Sequence, residues 1–229
     1  MKISLTRTEA RVLGVLLEKA ATTPDQYPLS LNAVTTGCNQ KSNRDPVTNI
    51  DQTETIAALD GLVGKHLIRE CSDAGSRVAK YAHRLSGSLG LTYDFKDEEL
   101  AVLCVLLLRG AQTVGEIRVR TGRLHAFDGL SAVEKVLERL TAHADGPYVR
   151  RLERGSGRKE ARFMQLLSEE DAVSTGAGAA TGTVDADAVR RDLSPRDCEP
   201  VADERLERLE QEVAELKREL RELKEQLGA

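Results

Sequence analysis

The sequence predicts a mainly α-helical chain with small β-hairpins, an α+β fold in which one arrangement is used twice. Apolar residues recur at helical spacing behind capping signals, and short β-type runs flank glycine turns. The same order of elements returns about 90 residues later. Helix, short helix, helix and hairpin, twice over, is the pattern of two tandem winged-helix domains, which we place at residues 1–88 and 89–167.

In the first copy, three polar residues mark the helix starts. Thr6 stands three residues before Glu9, which is the spacing of a capping box, and predicts a helix over about 7–20. Ser30 predicts the start of a second, short helix, and Asp51 the start of a third. Strand candidates at 67–72 and 77–85 follow, joined by a glycine-containing turn.

The second copy repeats this order. A helix begins at Asp97 and ends at Gly110, and Thr113 with Glu116 predicts a short helix after it. Ser131 and Glu134 have the spacing of another capping box, which predicts the third helix. The runs 148–154 and 159–167 flank a Gly-Ser-Gly turn, as in a hairpin.

The last 62 residues have a different composition. Residues 168–202 are rich in Ser, Thr, Gly and Ala and predict a flexible acidic linker. Residues 203–229 predict a coiled-coil helix and hence a homodimer, although a single solvated amphipathic helix has the same pattern. The apolar heptad positions are Leu206, Leu209, Val213, Leu216, Leu220, Leu223 and Leu227.

Composition and missing motifs argue against an enzyme. The sequence has no phosphate-binding glycine loop, no metalloprotease motif and no nucleophile elbow. The four cysteines form no C-x-x-C pair and no metal spacing, so we expect reduced thiols, no metal and no cofactor. The sequence shows neither a signal peptide nor an apolar run long enough to cross a membrane, which predicts a cytoplasmic protein.

Charge makes DNA a possible partner without requiring it. Residues 1–167 carry 24 basic and 20 acidic side chains, whereas residues 168–229 carry 9 and 17. The third helices carry acidic residues, Asp51 and Glu54 in the first copy and Glu134 and Glu138 in the second, so neither resembles a helix that recognises bases. The second hairpin is a better candidate for phosphate contact, or else an edge hairpin kept soluble by charge, with Arg150, Arg151, Arg154, Arg158, Lys159 and Arg162.

The loop Cys38–Val47 is the other candidate for phosphate contact. Lys41 and Arg44 carry charge that could meet phosphates, and the neighbouring amides could bind bases or backbone. The alternative is local: Asn and Asp favour turns, and Pro46 stops a helix from continuing. The other residues of this loop that we single out are Asn39, Gln40, Ser42, Asn43, Asp45 and Pro46.

That loop also carries a resemblance. The run from Asn39 to Val47 resembles the signature of the bacterial YceH-like family. Four segments are similar to the opening of that family: Leu5–Thr6, Glu9–Gly14, Leu17–Lys19 and Tyr27–Asn32. The resemblance covers residues 3–167 well and the C-terminal residues loosely. It implies two winged-helix domains in a cytosolic bacterial protein, and it implies no activity and no binding residues.

Two hypotheses remain open on the sequence. The first is a non-enzymatic, self-associating tandem winged-helix protein that binds nucleic acid and acts as a regulator. The second is a protein-interaction adaptor of the same architecture, similar to the tandem winged-helix subunits of condensins, with no direct DNA contact. Fold alone does not separate them, because winged helices serve in both roles.

Overall fold

Six α-helices and two small antiparallel sheets make up the part of the chain that the computed structural model describes, residues 3–71, 78–86, 93–153 and 160–168. All of these residues fall within one compact unit. The α+β class expected from the sequence is confirmed. Among the described residues, no helix has the length and apolarity that crossing a bilayer requires.

The elements of the N-terminal module are, in chain order, α1 (Arg7–Thr22), β1 (Leu29–Ser30), α2 (Leu31–Cys38), α3 (Gln52–Gly64), β2 (Ile68–Cys71) and β3 (Lys80–His83). A single 3-10 turn, Pro24–Gln26, follows α1. The strands pair in the order β1-β3-β2, with Leu29 opposite Tyr81 and Ile68 opposite His83. The two-residue strand β1 was not predicted as part of a sheet.

The elements of the C-terminal module are α4 (Asp97–Arg109), β4 (Gln112–Thr113), α5 (Val114–Thr121), α6 (Leu130–Thr141), β5 (Val149–Arg151) and β6 (Arg162–Gln165). Its strands pair in the order β4-β6-β5, so both modules share one topology. The central strands are β3 and β6, and each pairs on one side with a short strand, β1 or β4, that directly precedes the second helix of its module. This pairing joins each hairpin to the helices of its module.

Of the three predicted capping boxes two form and one does not, and Asp51, predicted only as a helix start, opens a further box. The amide of Glu9 donates to Thr6 Oγ1 at 3.2 Å while the Glu9 carboxylate accepts from the Thr6 amide at 2.7 Å. Reciprocal bonds of the same kind open α3 at Asp51 and α5 at Thr113. The box predicted at Ser131 is wrong: α6 begins at Leu130, its N-cap is Gly129, and no side chain caps it.

Helices α1 and α4 pack against each other at the centre of the unit. The sequence indicated one apolar face on α1, but residues 11–18 are all buried, and so are residues 99–108 of α4. Gly14 allows the close approach, since a Cβ there would lie 2.8 Å from Leu108 Cδ2. The Cys104 thiol donates to the Gly14 carbonyl across this contact at 3.4 Å. The two modules therefore share one continuous core rather than touching at their surfaces.

The two ends of the described chain are also joined. The Leu5 amide donates to the Leu167 carbonyl at 2.7 Å, and Leu5 forms a parallel bridge with Ser168. The first residues of the N-terminal module thus lie beside the end of the C-terminal module. The predicted linker 168–202, apart from Ser168, and the predicted coiled coil 203–229 lie outside the described residues.

Candidate functional site

The loop between α2 and α3, here called the signature loop (residues 39–47), is closed at its base by side-chain bonds. Asn39 accepts from the Ile50 amide at 2.8 Å and donates to the Ile50 carbonyl at 2.7 Å. Thr48 Oγ1 donates to the Cys38 carbonyl at 3.0 Å. These side-chain bonds pair backbone groups that have no partner in a helix or a sheet. The loop therefore has one defined conformation although it contains no regular secondary structure.

Arg44 points into the protein rather than out of the loop. The residue is 4% exposed, and its guanidinium meets the Glu18 carboxylate at 2.6 and 3.3 Å in a two-point ion pair. Its Nε donates to the Gly37 carbonyl at 3.0 Å, and its other nitrogens to Asn43 and Gln40. The prediction that Arg44 contacts phosphate is therefore corrected: this guanidinium is fully used inside the fold.

The signature loop also joins the two modules. The Asp45 amide donates to the Leu108 carbonyl at 2.9 Å, and Arg11 donates to the same carbonyl at 3.1 Å. Arg11 also donates to the Pro46 carbonyl at 2.7 Å, which ties the loop to α1. Leu108 lies in the last turn of α4, where carbonyls have no partner within the helix and where positive charge is favourable. The loop thus completes the C-terminal end of a helix in the other module.

Beside this clamp lies a polar cleft, which we call the junction cleft. It is a cavity of about 410 Å³ whose walls include Lys19 from α1, Lys41 and Ser42 from the signature loop, and Arg123 from the residues after α5. Lys41 and Ser42 are the exposed residues that the signature loop contributes to this cleft. Arg123 is 65% exposed along its side chain and comes within 3.8 Å of Glu18. The cleft therefore combines cations from both modules.

Two further arginines, one at the end of α4 and one on α5, extend the cationic surface of the cleft. Arg109 and Arg120 line a smaller cavity that shares Glu18, Asn43 and Arg123 with the first. Arg109 donates to Asn43 Oδ1 at 3.1 Å. Burial lowers the pKa of Arg109, and the nearby charge of Arg120 lowers it further. Arg109 Nε is buried and has no hydrogen-bond partner within the described ranges, so one donor in the cleft wall is unsatisfied.

The cationic surface reaches the base of the second hairpin. Arg120 and Arg162 both approach the Glu116 carboxylate, at 3.5 and 4.0 Å. Six cations therefore line this surface, which runs from β6 past the signature loop to α1: Arg162, Arg120, Arg109, Arg123, Lys41 and Lys19. The carboxylates beside them are Glu116, Asp45 and Glu18, and the last is already paired with Arg44.

Most of this surface was not predicted from the sequence. Of its six cations, Lys41 and Arg162 were predicted phosphate contacts, whereas Lys19, Arg109, Arg120 and Arg123 were not. The run Arg118-Val119-Arg120-Thr121-Gly122-Arg123 was a visible signal, since it places three arginines within six residues. The partner half of the cleft was not visible, because α1 and the signature loop come together with α5 only through the packing of α1 on α4.

The predicted contacts in the second hairpin are found in different settings. Arg151 is exposed, whereas Arg150 is half-buried with one nitrogen 3.9 Å from Met164 Sδ. Arg162 is half-buried and donates to the Ala111 carbonyl at 3.4 Å. Arg154, Arg158 and Lys159 lie outside the described residues.

The third helix of each module exposes acidic and apolar side chains. On α3 the exposed residues include Ile56, Asp60 and Val63, which are spaced to share one face. On α6 the exposed residues Leu130, Glu134 and Glu138 are spaced four apart. Carboxylates on these faces would repel phosphates.

Two of the cysteines are unsuited to nucleophilic chemistry. Cys38 and Cys104 are buried. Burial raises the pKa of Cys38 to about 12 and raises the pKa of Cys104 as well. Both are therefore neutral thiols at physiological pH, and the thiolate is the reactive form.

The family model described as "Protein of unknown function, DUF480" matches residues 5–158. The chain belongs to this family. The DUF480 match spans the signature loop, the junction cleft and both third helices, and it ends within the second hairpin. The family resemblance expected from residues 39–47 is thereby confirmed.

Full-length relatives agree with that assignment. The chain is 47% identical over 228 residues to a UPF0502 protein of Enterobacter sp. (strain 638), which covers 100% of both chains. It is 45% identical to UPF0502 protein YceH of Salmonella newport (strain SL254), again over 100% of both. A UPF0502 protein of Vibrio atlanticus (strain LGP32) is 42% identical and covers 98% of this chain and 97% of its own.

Proposed function

We propose that this DUF480 member is a non-enzymatic nucleic-acid-binding protein made of two winged-helix domains, in which the junction cleft holds the phosphate backbone. The observation that carries the proposal is the row of six cations from Arg162 to Lys19, drawn from both modules. Such a row neutralises phosphates without recognising bases, and phosphate contacts provide most of non-specific affinity.

The mode of contact differs from that of a winged helix inserting its third helix into the major groove. Here the third helices carry Asp60, Glu134 and Glu138 on exposed faces, which keeps them away from the duplex. The second hairpin extends the contact, since Arg162 at its base shares Glu116 with Arg120. Arg151, Arg154, Arg158 and Lys159 remain predicted phosphate contacts of that hairpin.

A salt titration tests the proposal. A labelled duplex of about 20 base pairs is titrated with the full-length protein at 50 and 200 mM salt. If roughly four phosphates are neutralised, affinity falls about a hundredfold between the two concentrations. The variant Lys41→Glu/Arg123→Glu should bind more weakly and lower the slope of log K against log salt by about 2.

A matched control has the same change in net charge. Lys135→Glu/Arg69→Glu reverses two exposed cations, one on α6 and one on β2, which do not line the junction cleft. It should bind the duplex almost as the wild type does. No binding of the wild type at 50 mM salt, or equal losses in the two variants, would refute the proposal.

The adaptor remains a second candidate, favoured by the apolar side chains on α3. Ile56 is 44% exposed and Val63 is 37% exposed, with Asp60 between them on the same helix face. An exposed apolar pair beside a carboxylate suits a protein surface better than a phosphate backbone. On this hypothesis the duplex titration shows no binding, and Ile56→Ser/Val63→Ser abolishes capture of a partner.

Self-association through the heptads of residues 203–227 is part of the proposal. With Leu206 at position a, the pairs Arg205–Glu210, Glu212–Lys217 and Glu219–Lys224 have opposite charges in a parallel pair. A dimer would present two junction cleft surfaces to one duplex, which raises affinity through effective concentration.

A further inference from the structure

A groove on the C-terminal module, distinct from the junction cleft, is formed between α6, the start of α5 and the second hairpin. Its volume is about 660 Å³, which is the size range of pockets that bind small ligands or short peptide segments. The apolar side chains in its walls are Val114, Leu130, Leu137, Ala142, Ala161 and Phe163. Leu130, at the first position of α6, is 50% exposed, so an apolar anchor is already present at the surface.

The charged residues of this groove are predominantly acidic. Glu134 and Glu138 of α6 and Glu160 before β6 line it, against the single cation Arg151. Glu134 and Glu138 are four residues apart on one helix face and both are exposed. Neither forms an ion pair with any cation of the described part of the chain. Their charge is therefore available to a ligand.

Charge decides which occupants fit the groove. A phosphate backbone is disfavoured, because the carboxylates would face it. The chain's own C-terminal region is disfavoured too, since residues 168–229 carry 17 acidic and 9 basic side chains. A segment with apolar side chains for the walls and Lys or Arg spaced to meet Glu134 and Glu138 satisfies both features.

We propose that this groove docks a short basic amphipathic helix of a partner protein, with leucine-like side chains against Leu130, Leu137 and Phe163 and two cations opposite Glu134 and Glu138. A helix laid in a groove uses anchors at spacings of three and four residues. Lysines or arginines four residues apart on the docked helix would lie opposite Glu134 and Glu138, which are four residues apart on α6. The proposal does not depend on nucleic-acid binding, because the groove is separate from the junction cleft and shares only Arg151 with the predicted phosphate contacts of the second hairpin.

The probe is a labelled, capped peptide of roughly 15 residues made of Leu, Lys and Ala, with leucines three and four apart and lysines four apart. Fluorescence anisotropy measures its binding to the full-length protein. We expect binding that weakens by about tenfold or more in Glu134→Lys/Glu138→Lys, because attraction becomes repulsion at two positions. Leu130→Ser, a change at an exposed position, should also weaken it.

Two controls separate docking from general charge attraction. Asp60→Lys/Glu70→Lys reverses two exposed carboxylates of the N-terminal module and should leave peptide affinity unchanged. A peptide with its leucines replaced by serine should lose binding. The proposal is overturned if the leucine peptide does not bind at about 100 μM, if both double variants weaken binding equally, or if the serine peptide binds as well.

Discussion

Replacing Arg44 by methionine removes a buried cation while keeping most of the apolar stem. In the folded chain Glu18 would then be left in the interior, with a side chain only 6% exposed. The remaining cations near it are Lys19 and Arg123, at 3.9 and 3.8 Å, and the Arg123 side chain is largely exposed. The carbonyl of Gly37, which accepts from Arg44 Nε at 3.0 Å, loses a donor as well.

The size of the effect follows from the cost of an unpaired buried charge. Breaking a buried ion pair by removing one partner costs about 3–5 kcal/mol of unfolding free energy. For a folded unit of this size, each kcal/mol lowers Tm by roughly 2–4 °C, so Arg44→Met should lower Tm by roughly 6 to 20 °C. Lys19 and Arg123 offset part of the loss, which places the result toward the lower end of that range.

Thermal and urea unfolding followed by circular dichroism measure this change. The matched control is Lys41→Met, which makes the same kind of change three residues earlier at an exposed position. It should alter the unfolding free energy by less than about 0.5 kcal/mol. In the double variant Glu18→Gln/Arg44→Met, part of the loss should be recovered, because no charge is left unpaired.

The outcome of this comparison distinguishes two roles for the signature loop. If Arg44→Met and Lys41→Met are equally stable, Arg44 is not the internal partner of Glu18 described above. If Arg44→Met is as stable as the wild type and loses duplex binding, Arg44 is a phosphate contact and not an internal partner of Glu18.

Three further results are expected. Burial lowers the pKa of His83 below its value in the unfolded chain, so the contribution of His83 to the unfolding free energy is complete above about pH 6.5 and is lost as the pH falls. The variant His83→Gln should therefore show a weaker pH dependence of the unfolding free energy. Parallel curves of unfolding free energy against pH for the two proteins would contradict this. Cys38 and Cys104 should react with a thiol reagent only after unfolding, as peptide mapping by mass spectrometry will show, and labelling of either in the native protein would contradict their burial. Deleting residues 203–229 should lower the mass measured by light scattering to that of a monomer, and an unchanged monomer mass would exclude the predicted dimer.

Local signals in the sequence were sufficient to place most helix starts. Thr6, Asp51 and Thr113 cap the helices that follow them, because a capping box depends only on residues three apart. The same pattern failed at Ser131, where α6 begins one residue earlier at Leu130. Glu134 is exposed and lines the groove between α6 and the second hairpin, so its carboxylate does not accept the hydrogen bond from the backbone amide that a capping box requires.

Features that depend on distant residues were not predictable from local pattern. The partner of Arg44 is Glu18, 26 positions earlier, and a polar loop gave no sign that one of its cations is internal. The burial of α1 on every side depends on α4, where Leu108 packs on Gly14. A single-face pattern on α1 could not show this, because the second module covers the other faces. The two-residue strands β1 and β4 depend on pairing partners about 50 residues away.

The junction cleft was likewise not predictable from local sequence patterns. Its cations come from α1, the signature loop, the end of α4 and α5, which are spread over more than a hundred positions of the chain. The local sequence around each cation does not show which other cations lie beside it in the fold. Their proximity follows from the α1–α4 contact and from the bonds that Arg11 and Asp45 make to Leu108.

Site-directed photo-crosslinking tests directly whether nucleic acid binds in the junction cleft. A photoreactive benzoylphenylalanine is placed at Lys41 in the junction cleft, and in a second protein at Lys135 on the third helix α6. Each full-length protein is irradiated with a labelled duplex at low salt. The proposed function predicts a crosslinked product from position 41 and none from position 135. Crosslinking from position 135 without crosslinking from position 41 would contradict phosphate binding in the junction cleft.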